Sequence, residues 1–108
     1  TEAEIAALAP DMAALATLHP AGGIATAPGD NADFVSRFLA PSHGIPEDPV
    51  TGSAHCMLIP YWSARLDKKT LVARQISARG GDLVCQVRGD RVGIAGRAVL
   101  YLTGEISI

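Results

Sequence analysis

The stretch GIPEDPVTGSAH, residues 44–55, places acidic side chains, two prolines, two glycines and two hydroxyls directly before the most hydrophobic segment of the chain. Pro46 and Pro49 stiffen this loop, and the apolar residues that follow it have a helical period, so the sequence predicts a helix over Ser53–Leu66. The first backbone N–H groups of a helix have no partner inside it and carry a partial positive charge. The start of this helix is therefore a candidate anion site.

Several residues beside the helix start could bind a ligand or react with it. Gly52 lets a ligand approach the backbone, and Thr51 and Ser53 can cap the helix or offer their hydroxyls. Asp48 adds a carboxylate that, partly removed from water, could exchange a proton with a bound carboxylic acid. The alternative is that Ser53 and Asp48 only cap the helix and that the prolines only shape the loop. No phosphate-loop or GxGxxG motif is present, which disfavours nucleotides as ligands.

The remaining pattern predicts an α+β fold. Apolar residues surround the whole circumference of the predicted helix, which is typical of a central buried helix enclosed on all sides, and Pro60 predicts a bend in it. The other predicted segments are two short helices that begin at Thr1-Glu2-Ala3-Glu4 and at Pro10-Asp11, and strands over Ile24–Ala27, Phe34–Leu39, Leu71–Ala78, Leu83–Arg88, Arg91–Ala95 and Arg97–Thr103. One helix wrapped by mixed or antiparallel strands forms a single domain, residues 1–108.

Composition and charge narrow the classes of partner. The formal net charge is −2 and the Lys and Arg residues are scattered, so neither nucleic acid nor an anionic membrane surface is expected to bind. No apolar run approaches the roughly 20 residues of a membrane span. Cys56 and Cys85 are too few for a disulfide framework, and no secretory signal is visible, so we expect a reducing cytoplasm. A small ligand or another protein chain is the expected partner.

The histidines and cysteines predict no metal or cofactor. His19, His43 and His55 lie on different predicted elements without ligand spacing. His55 could orient a substrate or, alternatively, bond a backbone carbonyl. Cys56 lies inside the apolar helix and is expected to be an inert buried thiol.

Two arginines, Arg37 and Arg79, and one arginine-containing tripeptide have alternative interpretations. Arg37 and Arg79 could reach a ligand carboxylate, or they could pair with surface acids and loop carbonyls. The tripeptide Arg88-Gly89-Asp90 is predicted to be a hairpin tip and not an adhesion motif, because alternating strands flank it and glycine suits the first position of a two-residue turn.

The nine residues EDPVTGSAH, 47–55, resemble the signature of the PhzF-like phenazine biosynthesis isomerases, which share the diaminopimelate epimerase-like fold. The resemblance continues through SRFLAP, residues 36–41, and QISARGG, residues 75–81, to the closing strands. Members of that family have two lobes, each with sheets around a central helix, and an active-site cleft between the two helix N-termini. The chain is similar to the second, C-terminal lobe.

The resemblance implies a role for each residue at the helix start. It implies that Asp48 takes part in proton transfer, that Ser53 assists, and that the backbone N–H groups of Gly52 and Ser53 bind substrate. From their position next to these residues, we expect Thr51 and His55 to bind substrate as well. It further implies an isomerase that moves a proton within a small cyclic or amino-acid-like carboxylate, such as trans-2,3-dihydro-3-hydroxyanthranilate, without metal or organic cofactor.

Two departures from the family pattern modify this expectation. The principal acid/base glutamate of the family belongs to the first lobe, and residues 1–108 supply no such motif, so a homodimer or a separate first-lobe chain is expected to complete the cleft. Diaminopimelate epimerase uses one thiol per lobe, and Asp48 stands at the corresponding point, which disfavours two-thiol racemisation. The alternative function is a non-catalytic small-anion-binding or assembly module derived from the family.

Overall fold

The computed structural model describes residues 1–108 and confirms the α+β class, with three helices and one mixed six-stranded sheet. The elements in chain order are α1 (Glu2–Ala7), α2 (Met12–Leu18), β1 (Gly23–Pro28), β2 (Phe34–Leu39), a 3₁₀ turn (Pro41–His43), β3 (Glu47–Asp48), α3 (Gly52–Leu66), β4 (Thr70–Gln75), β5 (Gly81–Arg88) and β6 (Arg91–Ala95). The longest helix, α3, has 15 residues, and none of the helices has the length and apolar character needed to cross a bilayer.

The topology of the sheet places the start of α3 at the end of the sheet where β2 and β4 both terminate. The strand order is β1-β2-β4-β5-β6, and β3 pairs with β2. Only β2 and β4 are parallel, and they are connected through α3; every other pair is antiparallel. In such a crossover the helix starts at the edge where the two parallel strands end. The Asp48 loop, the end of β4 and the first turn of α3 therefore meet.

One face of α3 packs against the sheet and forms the core. Strands β4 and β5 alternate buried and exposed residues, as half-buried strands do. The ring of Phe34 stacks on that of Trp62 with centroids 5.7 Å apart. The buried cluster consists of Phe34, Leu58, Ile59, Trp62, Leu71, Ala73, Leu83 and Cys85.

The narrower expectation that α3 is enclosed on all sides is wrong. The sheet covers only one side of the helix, so Met57 is 63% exposed and Tyr61 is 46% exposed. Cys56 also lies on the open side and is exposed, which contradicts the prediction of a buried thiol. The buried cysteine is Cys85 on β5, where removal from water raises the pKa of the thiol to about 11.

The predicted strand Arg97–Thr103 does not form. Residues 96–108 have no regular secondary structure, and the side chains of Val99, Leu100, Tyr101 and Leu102 are between 78% and 97% exposed. Their alternating sequence has the strand period, but a strand also needs a neighbour for its backbone hydrogen bonds, and none lies alongside these residues.

Most of the local signals that depend on neighbouring residues are confirmed. Thr1 and Glu4 form the capping box of α1. Helix α2 begins at Met12, so Pro10 and Asp11 precede it and do not form its first turn as predicted; Asp11 caps the helix by accepting hydrogen bonds from two backbone N–H groups. Gly89 adopts φ +63° in the two-residue turn between Arg88 and Arg91, as predicted for a glycine-first hairpin.

Arg37 on β2 fastens α1 to the sheet. Its guanidinium donates to both carboxylate oxygens of Glu47, at 2.8 and 2.9 Å, and Nη1 donates to the backbone carbonyl of Leu8 at 2.8 Å. Hydrogen bonding to Glu47 raises the pKa of Arg37. Of the two alternatives for Arg37, the structure shows pairing within the chain, with an acid and with carbonyls at the end of α1.

Candidate active site at the start of helix α3

The loop that carries Asp48 is held in place by the end of β4 and the turn after it. The side chain of Ser77 donates to the carbonyl of Pro49 at 2.8 Å and accepts from the N–H of Gly80 at 3.0 Å. Gly81 lies so close to Val50 that a Cβ built on it would be 2.3 Å from Val50 Cγ2. The QISARGG segment thus supports the loop that precedes α3.

Gln75 is the most connected side chain of the site, and it is completely buried. Its Oε1 accepts from the N–H of Thr51 at 2.8 Å. Its Nε2 donates to the carbonyl of Asp48 at 2.7 Å and to Oγ1 of Thr51 at 3.1 Å. One buried amide therefore bonds both ends of the Asp48–Thr51 segment.

Thr51 uses its hydroxyl for Asp48 and not for the helix. Thr51 occupies the N-cap position of α3, but its side chain makes no capping hydrogen bond. Oγ1 donates instead to Oδ2 of Asp48 at 2.5 Å. No group of the chain bonds the other carboxylate oxygen, Oδ1. Asp48 is therefore a half-buried residue with one oxygen bonded and one free to accept a further hydrogen bond.

The first turn of α3 presents unpartnered backbone N–H groups beside this loop. The N–H groups of Gly52, Ser53 and Ala54 precede the first intrahelical bond, from His55 N to Thr51 O, and no side chain caps them. Gly52 and Ser53 are exposed, and a Cβ built on Gly52 would meet nothing within 4 Å. The aspartate and two exposed amides therefore lie at the same surface.

His55 points into the lobe, and the structure shows the backbone-bonded alternative for it. The ring is completely buried, and Nδ1 lies 2.7 Å from the carbonyl of Thr51, so Nδ1 must carry the proton. Nε2 is buried without a partner. Because burial penalises the charged ring, the pKa of His55 is lowered, and the neutral form is favoured in the folded chain.

We expect acidification to destabilise the fold through His55. The unfolded chain takes up a proton near the ordinary histidine value of 6.5, whereas the folded chain, with its lowered pKa, does so only at lower pH. The contribution of neutral His55 to the free energy of unfolding is therefore fully present above pH 6.5. It is lost as the pH falls through the pKa that His55 has in the folded chain, by at most about 1.4 kcal/mol per pH unit. Urea unfolding between pH 7.5 and 5 should show this slope, and H55Q should flatten it. An equal slope in H55Q would contradict the assignment.

The other candidate residues lie away from this cluster. Arg79 makes no hydrogen bond or ion pair within the chain and lines a separate cavity of about 490 Å³, with Val50, Asp82 and Arg97 among its other walls. His43 contacts the carbonyl of Pro20. No three His, Cys, Asp or Glu side chains lie close enough to share a metal ion, and no cavity of the chain is lined by Asp48, Gly52 or Ser53.

Comparison with known proteins places this arrangement in a family. The model of the family described as "Phenazine biosynthesis-like protein", PhzC-PhzF, matches residues 1–104. The chain belongs to the PhzC-PhzF family. An uncharacterized isomerase of Pseudomonas aeruginosa is 57% identical over 108 residues, which are all of this chain and 41% of that protein. A phenazine biosynthesis-like domain-containing protein of Bos taurus is 54% identical over 76 residues, 69% of this chain and 26% of that protein.

Solved structures of PhzC-PhzF proteins have the same fold. A phenazine biosynthesis PhzC/PhzF protein of Clostridium difficile superposes with a TM-score of 0.88 at 47% identity, over 100% of this chain and 42% of that chain. A PhzF family protein of Enterococcus faecalis gives 0.89 at 50% identity, over 99% and 42%. The diaminopimelate epimerase-like fold class is confirmed, and the chain spans about two-fifths of the length of these relatives.

Gln75 and Ser77 were not among the residues predicted for the site. The resemblance included them in QISARGG without assigning them a role. A local signal for Gln75 exists, because Leu71, Ala73 and Gln75 alternate along β4, and a glutamine at the third inward position must find partners in the interior. Its partners come from a loop 24 to 27 residues earlier, which no spacing rule predicts.

Proposed function

We propose that the chain is the second, C-terminal lobe of a PhzF-like isomerase, which transfers a proton within a small carboxylate without metal or organic cofactor. Asp48 takes part in the proton transfer and Ser53 assists it. The backbone N–H groups of Gly52 and Ser53 bind the negatively charged group of the substrate. Thr51 supports this site by bonding the carboxylate of Asp48, and His55 supports it by bonding the carbonyl of Thr51.

The observation that carries the proposal is that an oriented carboxylate lies beside unpartnered backbone amides at the start of α3. A helix start with free N–H groups attracts an anion and holds it at a fixed position. Asp48, with Oδ2 bonded by Thr51 and Oδ1 free, can take up a proton on the free oxygen without losing its orientation. An acid/base group next to an anion receptor is the minimum arrangement for moving a proton within a bound carboxylate.

The chemistry needs no group beyond an acid/base pair. A carboxylate removes a proton from a carbon of the substrate, the electron pair moves through an adjacent double bond, and a proton is delivered to a different carbon. Neither oxidation nor loss of a group occurs, so substrate and product are isomers. The Pseudomonas relative is named an isomerase, which agrees with this class of reaction.

The second acid/base group would come from another lobe. Residues 1–108 correspond to about 41% of the Pseudomonas relative, and no cavity of the chain includes Asp48. Either a first-lobe chain or a second copy of this chain, facing it as a homodimer, would complete the cleft. Sedimentation at high micromolar concentration tests the second arrangement, and a monomer there would eliminate it.

A non-catalytic small-anion-binding or assembly module is the second candidate function. The absence of a cavity around the site favours it, because a surface with free amides can bind an anion without performing chemistry on it. It differs from the isomerase in one measurable respect: it would bind a carboxylate but never exchange the carbon-bound hydrogens of that carboxylate.

The test is hydrogen exchange in heavy water. The chain alone, and a chimera in which it replaces the matching segment of the Pseudomonas isomerase, are incubated with small unsaturated or amino carboxylates. We expect the chimera to place deuterium on a carbon of at least one substrate, as seen by mass spectrometry. If both proteins bind a carboxylate but neither incorporates deuterium, the isomerase is excluded and the binding module is supported.

A further inference from the structure

We propose that Gln75 is a positioning residue that orients the carboxylate of Asp48 through the hydroxyl of Thr51. The catalytic consequence rests on the function proposed above, whereas the positioning itself depends only on contacts within this chain. Gln75 lies at the end of β4 and touches no candidate substrate atom, because its side chain is completely buried.

The orientation of the Gln75 amide follows from its partners. The N–H of Thr51 can only donate, so the atom 2.8 Å from it must be Oε1. The carbonyl of Asp48 can only accept, so the atom 2.7 Å from it must be Nε2. Both contacts require the same orientation of the amide, and a flipped amide would lose both.

This orientation determines the direction in which the hydroxyl of Thr51 donates. One hydrogen of Gln75 Nε2 serves the carbonyl of Asp48, and the other points to Thr51 Oγ1 at 3.1 Å. Thr51 Oγ1 then accepts from Gln75, and its own proton is directed to Oδ2 of Asp48 at 2.5 Å. The chain of donors runs from Gln75 to Thr51 to Asp48, and it fixes both the backbone and the side chain of the aspartate.

Because Gln75 is buried, water cannot replace the partners of its side-chain amide. A buried amide keeps the partners that it has, because no water competes for them, and losing one leaves a polar group unpaired in the interior. Ser77 supports the same loop through the carbonyl of Pro49 but bonds neither Asp48 nor Thr51. The chain therefore offers a matched control, a residue that holds the loop without holding the carboxylate.

The test measures the rotamer of Asp48 by NMR on the 108-residue chain. Three-bond couplings from Asp48 Cγ to its backbone nitrogen and carbonyl carbon report whether χ1 occupies one rotamer or averages over several. We expect one rotamer in the unmodified chain, averaging in Q75M and in T51V, and one rotamer in T51S and S77A. T51V is nearly isosteric, so it still tests the link from Thr51 to Asp48 if Q75M fails to fold. Unchanged couplings in T51V would overturn the proposal.

The catalytic consequence is measured in the chimera. We expect T51V to lower kcat by as much as ~100-fold with little change in KM, and T51S to restore it, because the substrate still binds but the carboxylate is misplaced. An averaged rotamer with unchanged kcat would overturn the catalytic part. A chimera that is inactive with unmodified Gln75 and Thr51 would contradict the proposed function, and the rotamer comparison would then decide the positioning role alone.

Discussion

Replacing Asp48 with asparagine should strongly slow deuterium incorporation while leaving the fold unchanged. Asparagine has the same shape, and its Oδ1 can still accept the hydrogen bond of Thr51, so the loop should keep its position. It cannot take up or release a proton in the way that a carboxylate does. Because general acid/base groups contribute about 10²- to 10⁴-fold, we expect a loss of at least ~100-fold in the rate of exchange by the chimera.

The matched control is D90N, which removes an exposed carboxylate at the hairpin tip between β5 and β6. This variant changes the net charge by the same amount and should exchange at the unmodified rate. Equal binding of carboxylate by D48N and the unmodified protein would show that the loss lies in proton transfer. Exchange by D48N at more than a tenth of the normal rate would exclude Asp48 as an acid/base group.

Truncating Trp62 to alanine should produce the largest loss of stability in the chain. Trp62 is 6% exposed, stacks on Phe34 at 5.7 Å and donates its indole N–H to Thr26 Oγ1 at 2.9 Å. Removing it leaves a cavity between α3 and the sheet and an unpaired hydroxyl acceptor. We expect the free energy of unfolding to fall by about 3–5 kcal/mol, measured by urea titration with circular dichroism.

The neighbouring aromatic residue gives the control for Trp62. Tyr61 lies on the open side of α3, is 46% exposed and contacts Arg65. We expect Y61A to lower the free energy of unfolding by no more than about 1 kcal/mol, because nearly half of the Tyr61 side chain is already exposed to solvent. Comparable losses in W62A and Y61A would mean that the open face of α3 is covered in solution, contrary to the fold described above.

The sequence predicted elements whose signals are local. The capping box of Thr1 and Glu4 and the turn at Gly89 depend on residues within four positions of each other, and both form as predicted. The burial of α3 was predicted less well. A helix with apolar residues all round can be enclosed or can keep an open face, and its composition does not distinguish these, so Cys56 was misplaced. Arg97–Thr103 failed for a related reason, because strand formation depends on a neighbour.

The site was predicted in part for the same physical reasons. Asp48, Thr51 and Gly52 belong to one contiguous motif next to a helix start, so their proximity follows from the chain itself. The role of Thr51 did not, because a hydroxyl at an N-cap position usually bonds the helix, whereas here it bonds Asp48. Gln75 joins the site through a parallel crossover that brings β4 beside β2, and only the fold shows this contact.

The central claim is that the first amides of α3 bind a carboxylate next to Asp48, and NMR tests it most directly. The ¹⁵N-labelled chain is titrated with anthranilate, and the amide signals of Gly52 and Ser53 are followed. We expect saturable shifts concentrated on these two amides, and weaker binding by G52A, whose added methyl would enter the open space beside Gly52. Unmoved Gly52 and Ser53 signals, with shifts at Arg79 and Arg97 instead, would contradict the account.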